Sequence, residues 1–449
     1  MTDHAAAPDD SLVARIEETL KDNDGAAETL HTAAVLADAP LPYDFALATE
    51  GTPHNPSLIN PAAAFFAATA VMDPLVQSGL VQADVEAQTF TIPQDVRRAV
   101  LHAAAEDARR EWAARAIYAV NLALPDADGG DWEAVERLMP HIEACRDLVD
   151  ALELNTPAAN RLLHQTGFAL HGQGRHQEAA AYLDHALKVD LAIKGPGHPD
   201  VAADLEGLGA VLWAAGDLER AEAAYLKCLQ FQTEIFTEDN PVLATTYNSL
   251  GVIRQSLGRL DLAEGDFVEC LRILTSAHGE GHPSIAACLG NLSLVYEATG
   301  RREDALRLAE RALEINRTVY GEDHPDVAAD LNTVALLREA CGDCEGAERG
   351  FRDSLDVRRT VHGDAHPETA QSFCNLALLL HTQGRPEESM EMYERGLDAY
   401  EAALGPDHPM MEQALDNCMA LLEQLVEDDR APLRAKAVER LSRIVKKAE

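Results

Sequence analysis

The sequence predicts an all-α protein in which a solenoid of tandem helix pairs follows a smaller N-terminal domain. Two sets of residues predict the solenoid. Prolines recur with a step of 42 residues, at Pro157, Pro199, Pro241, Pro283, Pro325, Pro367 and Pro409. Glycines keep the same step, at Gly174, Gly216, Gly258, Gly300, Gly342 and Gly384. In-phase repetition of this length is typical of a repeat architecture, in which each unit stacks on its neighbours.

The first helix of each repeat lies between the proline and the glycine, where apolar residues return every three or four positions. This spacing predicts an amphipathic helix with Pro at its first position and Gly at its end. The residue before the proline is interpreted as the helix cap, at Thr156, His198, Asn240, His282, His324, His366 and His408. A metal role for the histidines is not expected, because one His per repeat does not supply the several ligands of a site.

The second helix of each repeat carries a small residue followed by leucine. The small residues are Ala186, Cys228, Cys270, Ala312, Ser354 and Gly396. A small side chain at one helical position allows two helices to approach closely, and the next leucine fills the seam. The pattern therefore predicts tight packing between the two helices of a repeat.

These repeats resemble the tetratricopeptide repeats of kinesin light chains, whose period is also 42 residues. The family unit begins G-x-D-H-P-x-V-A-x-x-L-N-N-L-A, and here residues 321–348 are GEDHPDVAADLNTVALLREACGDCEGAE. The resemblance covers residues 157–425, as six full repeats plus a seventh first helix. It implies a right-handed superhelical tetratricopeptide solenoid, which we place at residues 155–428.

The segment before the repeats is predicted to contain a winged-helix-like domain at residues 11–94, after a disordered tail at 1–10. Ser11 is expected to cap a helix that continues to Lys21. Further predictions are a helix over Glu28–Ala39, a helix over 62–79 that ends at Gly79, and strands over 80–83 and 89–92. Three helices followed by a two-stranded wing are typical of a winged helix.

Residues 95–154 are predicted to be a helical linker, with one helix over Asp95–Val120 and another from Trp132 to about Glu153. Residues 28–150 resemble the winged helix and linker of NB-ARC or STAND signalling NTPases, in which a W-x-x-x-x-x-L-x-P-H segment precedes the repeats. Here the matching residues are Trp132, Leu138, Pro140 and His141. The phosphate-binding motif G-x-x-x-x-G-K-[ST] does not occur in this sequence. The resemblance thus implies a sensor without the ATPase module, and we expect no enzyme activity and no cofactor.

The chain is strongly acidic, with 76 acids against 37 bases and a formal net charge of −39. An acidic surface keeps a protein soluble and repels nucleic acid, so the favoured partner is a protein or peptide with a basic face. Winged helices often bind DNA, and Arg97, Arg98, Arg109, Arg110 and Arg115 form a local basic cluster. Residues 11–150 nevertheless hold 23 acids against nine bases, so a docking role is preferred over DNA binding.

The first helices of stacked repeats line a groove, and three positions in it are candidates for peptide binding. Asparagines occupy two of them, at Asn248 and Asn332 and, one residue on, at Asn291, Asn375 and Asn417. Nearer the glycine lie Trp213, Gln255, Glu297, Glu339 and His381. The resemblance to kinesin light chains implies that the asparagines hold a peptide backbone. A second interpretation stays open, in which each asparagine bonds to the neighbouring repeat and sets the twist of the solenoid.

Several other features are expected to be structural. The eight cysteines are expected to be reduced thiols, and Cys341 and Cys344 form an isolated C-x-x-C. No apolar run is long enough to span a membrane, and the N-terminus lacks a signal pattern, so we expect a cytoplasmic protein. Pro432–Lys447 is predicted to be a basic amphipathic helix within a segment, 429–449, that caps the last repeat.

Together these features predict a non-enzymatic scaffold or sensor that binds a protein or peptide in a bacterial signalling or defence assembly. A separately encoded ATPase or effector is one expected partner. Two alternatives stay open: a peptide-responsive transcription regulator whose winged helix binds DNA, and a constitutive homo-oligomeric scaffold.

Overall fold

The computed structural model describes residues 9–48, 61–125, 132–405 and 409–427. Residues 1–8 of the predicted tail at 1–10 lie outside these residues, as does the predicted capping segment at 429–449, whereas Asp10 of the tail opens a helix. The chain divides into two compact units, Met1–Ile235 and Phe236–Glu449. This division falls inside the repeat array, and the domain boundaries predicted near residues 94, 154 and 428 stay predictions.

The N-terminal part of the first unit packs helices around a small sheet. Its helices are α1 Asp10–Leu20, α2 Asp24–Ala34, α3 Phe45–Ala48, α4 Pro61–Gln77, α5 Gln94–Ala103, α6 Glu106–Ala123 and α7 Trp132–Leu152. Its strands are β1 Leu41–Pro42, β2 Gln82–Asp84 and β3 Thr89–Thr91, which form an antiparallel sheet in the order β1-β3-β2. Phe90 on β3 is buried beside Phe45 on α3, so the sheet and α3 share one core.

Helix α1 begins two residues earlier than a cap at Ser11 would place it. Its cap is Asp9, whose carboxylate accepts hydrogen bonds from the Ser11 N–H at 3.0 Å and from the Ser11 hydroxyl at 2.8 Å. The prediction that Ser11 is the cap was therefore wrong. Aspartate and serine cap helices about equally well, so the sequence alone does not decide between them.

Helix α2 ends at Ala34, whereas the sequence pattern predicted a helix over Glu28–Ala39. The Arg97 guanidinium on α5 donates to the carbonyls of Ala34, Leu36 and Ala37. These bonds satisfy carbonyl groups that a helix end would otherwise leave unpaired. The contact joins residues some sixty positions apart, so local sequence does not reveal it. It leads the chain into β1, a two-residue strand that was also not predicted.

The predicted single helix over Asp95–Val120 is two helices, α5 and α6. Ala104 between them has an extended backbone, with φ −78° and ψ 131°. Glu106 and Asp107 open α6, where acidic residues are favourable because of the helix dipole. The Arg109 guanidinium donates to the Leu101 carbonyl near the end of α5. The alanine-rich junction contains no Gly or Pro, which explains why the break was missed.

The repeats form the helix pairs that the 42-residue period predicted. In the first unit they are α8 Pro157–Gly172, α9 His176–Lys194, α10 Pro199–Ala214 and α11 Leu218–Ile235. In the second unit they are α12 Pro241–Ser256, α13 Leu260–His278, α14 Pro283–Ala298, α15 Arg302–Tyr320, α16 Pro325–Ala340, α17 Cys344–His362, α18 Pro367–Thr382, α19 Pro386–Leu404 and α20 Pro409–Glu427. The even-numbered members from α8 onward are the first helices, and α20 is the predicted seventh.

The residue before each of the first six repeat prolines is the helix cap, as predicted. The Nδ1 of His198, His282, His324 and His366 accepts a hydrogen bond from the N–H two residues later, at 3.2 to 3.3 Å. Thr156 and Asn240 cap α8 and α12 with their side-chain oxygens. His408 lies outside the described residues. Three of these histidines also stack on a ring in the last turn of the preceding helix, as His324 does on Tyr320 with ring centroids 4.2 Å apart.

The small residues of the second helices pack directly on the first helices, which confirms their predicted role. The Cys228 thiol donates to the Ala202 carbonyl at 3.3 Å, and the Ser354 hydroxyl donates to the Ala328 carbonyl at 2.7 Å. Both side chains are buried. A larger side chain at these positions would separate the two helices of a repeat.

Removing one histidine cap tests the structural role of the repeated histidines. We expect His324→Ala to lower the free energy of unfolding by about 1 kcal/mol, because the Asp326 N–H loses its acceptor. His324→Asn should restore most of the loss, since Asn240 already caps α12 in this way. Urea unfolding followed by far-UV circular dichroism measures both variants. An asparagine variant as unstable as the alanine variant would assign the effect to ring stacking on Tyr320.

Candidate functional site

Four of the asparagines predicted to line the groove bond to one another across neighbouring first helices. Asn291 Nδ2 on α14 donates to Asn248 Oδ1 on α12 at 3.0 Å. Asn375 Nδ2 on α18 donates to Asn332 Oδ1 on α16 at 2.8 Å. All four residues are half-buried. This geometry favours the interpretation in which asparagine ties one repeat to the next.

The alternation of the asparagines along the sequence explains these pairs. On α12 and α16 the asparagine occupies one position of the repeat, and on α14 and α18 it occupies the position one residue later. A donor at the later position reaches the acceptor at the earlier position of the preceding repeat. Each pair keeps further capacity, because an amide has two N–H donors and an oxygen with two lone pairs. A bound backbone could therefore still contact the same residues.

A row of aliphatic side chains runs beside the asparagines, and sequence analysis did not identify it. Leu294, Leu336 and Leu378 are 41%, 43% and 43% exposed, and half-buried Val252 has the same position on α12. The row lies three or four residues after the asparagines, so the two rows share one helix face. Its 42-residue step was visible in the sequence. Periodicity alone, however, does not separate an exposed apolar row from a buried one.

A third row lies three residues further along each helix, near the helix end. It contains Gln255, Glu297, Glu339 and His381, of which Glu297 is exposed and the others are half-buried. Neither glutamate forms an ion pair with a described residue, and burial raises the pKa of Glu339. We call this third row the acidic row because of its two glutamates. The asparagine, aliphatic and acidic rows of α12, α14, α16 and α18 together are the first-helix face.

Two of the predicted groove residues are not part of this face. Trp213 on α10 is 49% exposed, but it belongs to the first unit. Asn417 on α20 is half-buried, in the last helix of the second unit. The structure thus brings together eight of the ten predicted residues and adds the aliphatic row between them.

Two carboxylates meet in the interior of the first unit. Asp190 on α9 and Asp204 on α10 are buried. Lys194 Nζ bonds to Asp190 Oδ2 at 2.7 Å, and His164 Nε2 lies 3.6 Å from Asp204 Oδ1. Burial, and after it the charge of Asp190, raises the pKa of Asp204 to about 7. The pair is therefore most stable when Asp204 is protonated.

In the second unit, the positions three repeats after Asp190 and Asp204 hold an asparagine and an aspartate. Asn316 on α15 donates from Nδ2 to Asp330 Oδ2 on α16 at 2.7 Å. Burial raises the pKa of Asp330 to about 6, while the bond from Asn316 lowers it. An amide facing a carboxylate supplies a donor, which two carboxylates lack unless one is protonated.

The cysteines and other potential ligands form no visible metal or redox centre in the described residues. All eight cysteines are free thiols, and Cys341 and Cys344 are exposed at the turn between α16 and α17. No group of three or more His, Cys, Asp or Glu side chains in the described part of the chain could hold a metal ion. No helix in that part is long and apolar enough to cross a membrane.

Four of the five arginines grouped by the sequence contact other elements of the N-terminal region. Arg97 binds the carbonyls after α2, and Arg115 pairs with Glu28 and Glu111 at 2.7 Å each. Arg109 and Arg110 donate to carbonyls at the ends of α5 and α7. Arg98 donates to Gln94 on its own helix, at 3.3 Å. Arg97 and Arg115 are thus held by internal partners, whereas Arg98, Arg109 and Arg110 are exposed and bond to backbone carbonyls.

Comparison with known proteins supports the repeat architecture. The family model described as tetratricopeptide repeat matches residues 158–234, 242–318 and 326–402, about half of the chain. No curated protein matches the sequence with significance. Many solved structures are similar to it.

Three of these structures represent the similarity. BtubC (BKLC) from P. vanneervenii is 21% identical over 52% of this chain and 93% of its own, with a TM-score of 0.45. A putative kinesin light chain from Podosopora anserina is 20% identical over 46% of this chain and 99% of its own, with a TM-score of 0.42. The apo form of RapI is 12% identical over 86% of this chain and 96% of its own, with a TM-score of 0.51. At 12% identity the RapI likeness shows the fold alone.

Proposed function

The chain belongs to the tetratricopeptide repeat family, and from this premise we propose that it is a non-enzymatic scaffold or sensor that binds a protein or peptide on its first-helix face. Repeat solenoids generally bind partners along such extended surfaces. The observation that carries the proposal is the aliphatic row. Three leucines, each more than two-fifths exposed, stand in register on successive helices, and exposed apolar surface of this kind marks an interaction site.

The charge of the face indicates the chemistry of the partner. Glu297 and Glu339 flank the leucines and have no cationic partner among the described residues. Residues 236–427 hold 35 acids and 15 bases, so the surrounding field is negative. Complementary charge raises association rates and excludes acidic competitors. A partner with apolar side chains bordered by Lys or Arg therefore fits the face.

The N-terminal elements support a winged-helix-like domain with a docking role. Three helices, α2 to α4, precede the antiparallel pair β2 and β3, and β1 adds a third strand. Helix α4 has the sequence PAAAFFAATAVMDPLVQ and contains no Lys or Arg. DNA-binding surfaces are normally basic. Together with the balance of 23 acids to nine bases in residues 11–150, this composition disfavours the DNA-binding regulator, and a separately encoded ATPase or effector in a bacterial signalling or defence assembly remains the partner we propose.

Replacing two leucines of the row tests the proposed function. We expect Leu294→Ser with Leu336→Ser to weaken partner binding about tenfold or more, because each exposed leucine that is buried on binding contributes about 1 kcal/mol. The matched control is Leu262→Ser, which alters a 51% exposed leucine on the second helix α13. Wild type and both variants are immobilised, and proteins captured from an extract of the producing cells are quantified by mass spectrometry.

The expected result is at least one protein captured equally by wild type and the Leu262 variant and lost from the double variant. Circular dichroism checks that all three proteins are equally folded. If every captured protein binds the double variant as strongly as wild type, the first-helix face is not the binding surface.

A further inference from the structure

We propose that a segment of the chain itself, residues 428–449, docks on the first-helix face and competes with the partner. This proposal rests on the proposed function and adds its regulation. The segment lies outside the described residues and directly follows α20, which ends at Glu427.

The segment and the face have complementary charge. Residues 430–447 contain seven bases and a single acid, Glu439, in a chain whose net charge is −39. The preceding residues of the second unit, 236–427, carry an excess of twenty acids, since 35 acids oppose 15 bases. Glu297 and Glu339 are available on the face for Lys or Arg. Attraction between a basic segment and an acidic surface on the same chain is strengthened by their high effective concentration.

Val438 and Val445 in the segment are spaced like two neighbouring leucines of the aliphatic row. Val438, Leu441 and Val445 share one face of the predicted helix, at positions i, i+3 and i+7. A separation of seven residues along a helix is about 10.5 Å. Neighbouring packed helices lie about 8–10 Å apart, so successive leucines of the row, Leu294, Leu336 and Leu378, are separated by a comparable distance.

The end of α20 places the segment beside the acidic row. Helix α20 occupies the place of a first helix, packs against α19 and contacts α18. Glu297 and Glu339 each lie three residues before a helix-ending glycine, so their row is at the C-terminal end of the first helices. Helix α20 ends at Glu427, at the same end. A helix over Pro432–Lys447, as the sequence predicts, has sixteen residues and a length of about 24 Å, enough to cross two or three neighbouring helices at about 8–10 Å each.

Zero-length cross-linking with a water-soluble carbodiimide tests the docking directly on the full chain. This reagent joins an amine to a carboxylate only when the two are in contact. Between residues 228 and 449 the only lysines are Lys436, Lys446 and Lys447, so each cross-link from the second unit has an unambiguous origin. We expect links from these lysines to Glu297 or Glu339. A mixture of unlabelled and ¹⁵N-labelled protein should give links within one chain and none between chains.

Leucine variants test the docking without altering the glutamates that are cross-linked. Leu294→Ser with Leu336→Ser should reduce the yield of these links about threefold or more, while Leu262→Ser leaves it unchanged. Links confined to acids of α19, such as Glu391 and Glu394, would overturn the proposal and assign the segment to capping the last repeat. Links that join only labelled to unlabelled chains would also overturn it, in favour of a second copy of the chain.

The outcome is separable from that of the proposed function. Links to Glu297 and Glu339 without leucine-dependent capture of a partner would leave the docking intact and remove the scaffold function. Leucine-dependent capture of a partner without these links would support the scaffold function and overturn the docking of residues 428–449. If both hold, reversing charge with Arg440→Glu and Arg443→Glu should raise partner affinity about threefold or more, because the competing segment is weakened.

Discussion

Gly251→Ala is expected to destabilise the second unit by about 2–3 kcal/mol, since a side chain is forced into a packed core. A Cβ atom at Gly251 on α12 would lie 2.6 Å from Phe267 Cε1 on α13, and Phe267 is fully buried. The aromatic ring has no free space to move into, so the two helices of this repeat have to separate. Glycine at this position is therefore required by close helix packing.

Gly290→Ala is the matched control for this prediction. Gly290 also lies inside a first helix, α14, but a Cβ there meets no atom within 4 Å. Alanine favours helix more than glycine by about 1 kcal/mol, so this variant should be neutral or more stable. Thermal unfolding by far-UV circular dichroism compares the two. Equal midpoints for the Gly251 variant and wild type would show that the α12–α13 packing is looser than described.

Asp204→Asn is expected to stabilise the first unit above neutral pH. The unfolded pKa of Asp is about 3.9, and burial beside Asp190 raises the folded pKa of Asp204 to about 7. A raised folded pKa means that folding takes up a proton. The stability from protonated Asp204 is therefore full below about pH 4 and is lost as pH rises through about 7. The amide removes this loss, and we expect a gain of about 1–3 kcal/mol at pH 8.

The intrinsic tryptophans provide the measurement for this prediction. All three, Trp112, Trp132 and Trp213, lie in the first unit, so tryptophan fluorescence follows its unfolding in urea. Wild type should lose stability between pH 5 and pH 8, and the Asp204→Asn variant should lose less. The control is Asp200→Asn, because Asp200 is exposed and paired with Lys194 at 2.6 Å. A wild-type stability that does not fall over this range would contradict a buried, protonated Asp204.

The repeat helices were predictable because their signals are local and occur many times. Pro at the first position, the cap before it and the glycine after it are each visible in the sequence, and the structure has them at the predicted residues. The N-terminal region was less predictable because tertiary contacts decide its boundaries. Arg97 ends α2 from another helix, and the α5–α6 junction contains no breaking residue.

The candidate site was predictable as a set of positions but not as a surface. The period identified Asn248, Asn291, Glu297 and their equivalents, yet the pairing of the asparagines depends on the distance between neighbouring repeats. The leucine row was missed because it repeats every 42 residues, as the buried apolar residues of the core also do. Only the exposed fraction of Leu294, Leu336 and Leu378 separates this row from the buried apolar residues of the core.

Carboxyl footprinting of the full chain, with and without a captured partner, tests whether the partner binds the first-helix face. A carbodiimide and an added amine label exposed carboxylates, and mass spectrometry measures the labelling of each glutamate. If the partner binds the first-helix face, labelling of Glu297 and Glu339 should fall severalfold, while labelling of the exposed Glu314 on α15 stays the same. A saturating partner that leaves Glu297 and Glu339 fully labelled and protects Glu314 would show that it binds the second helices and not the first-helix face.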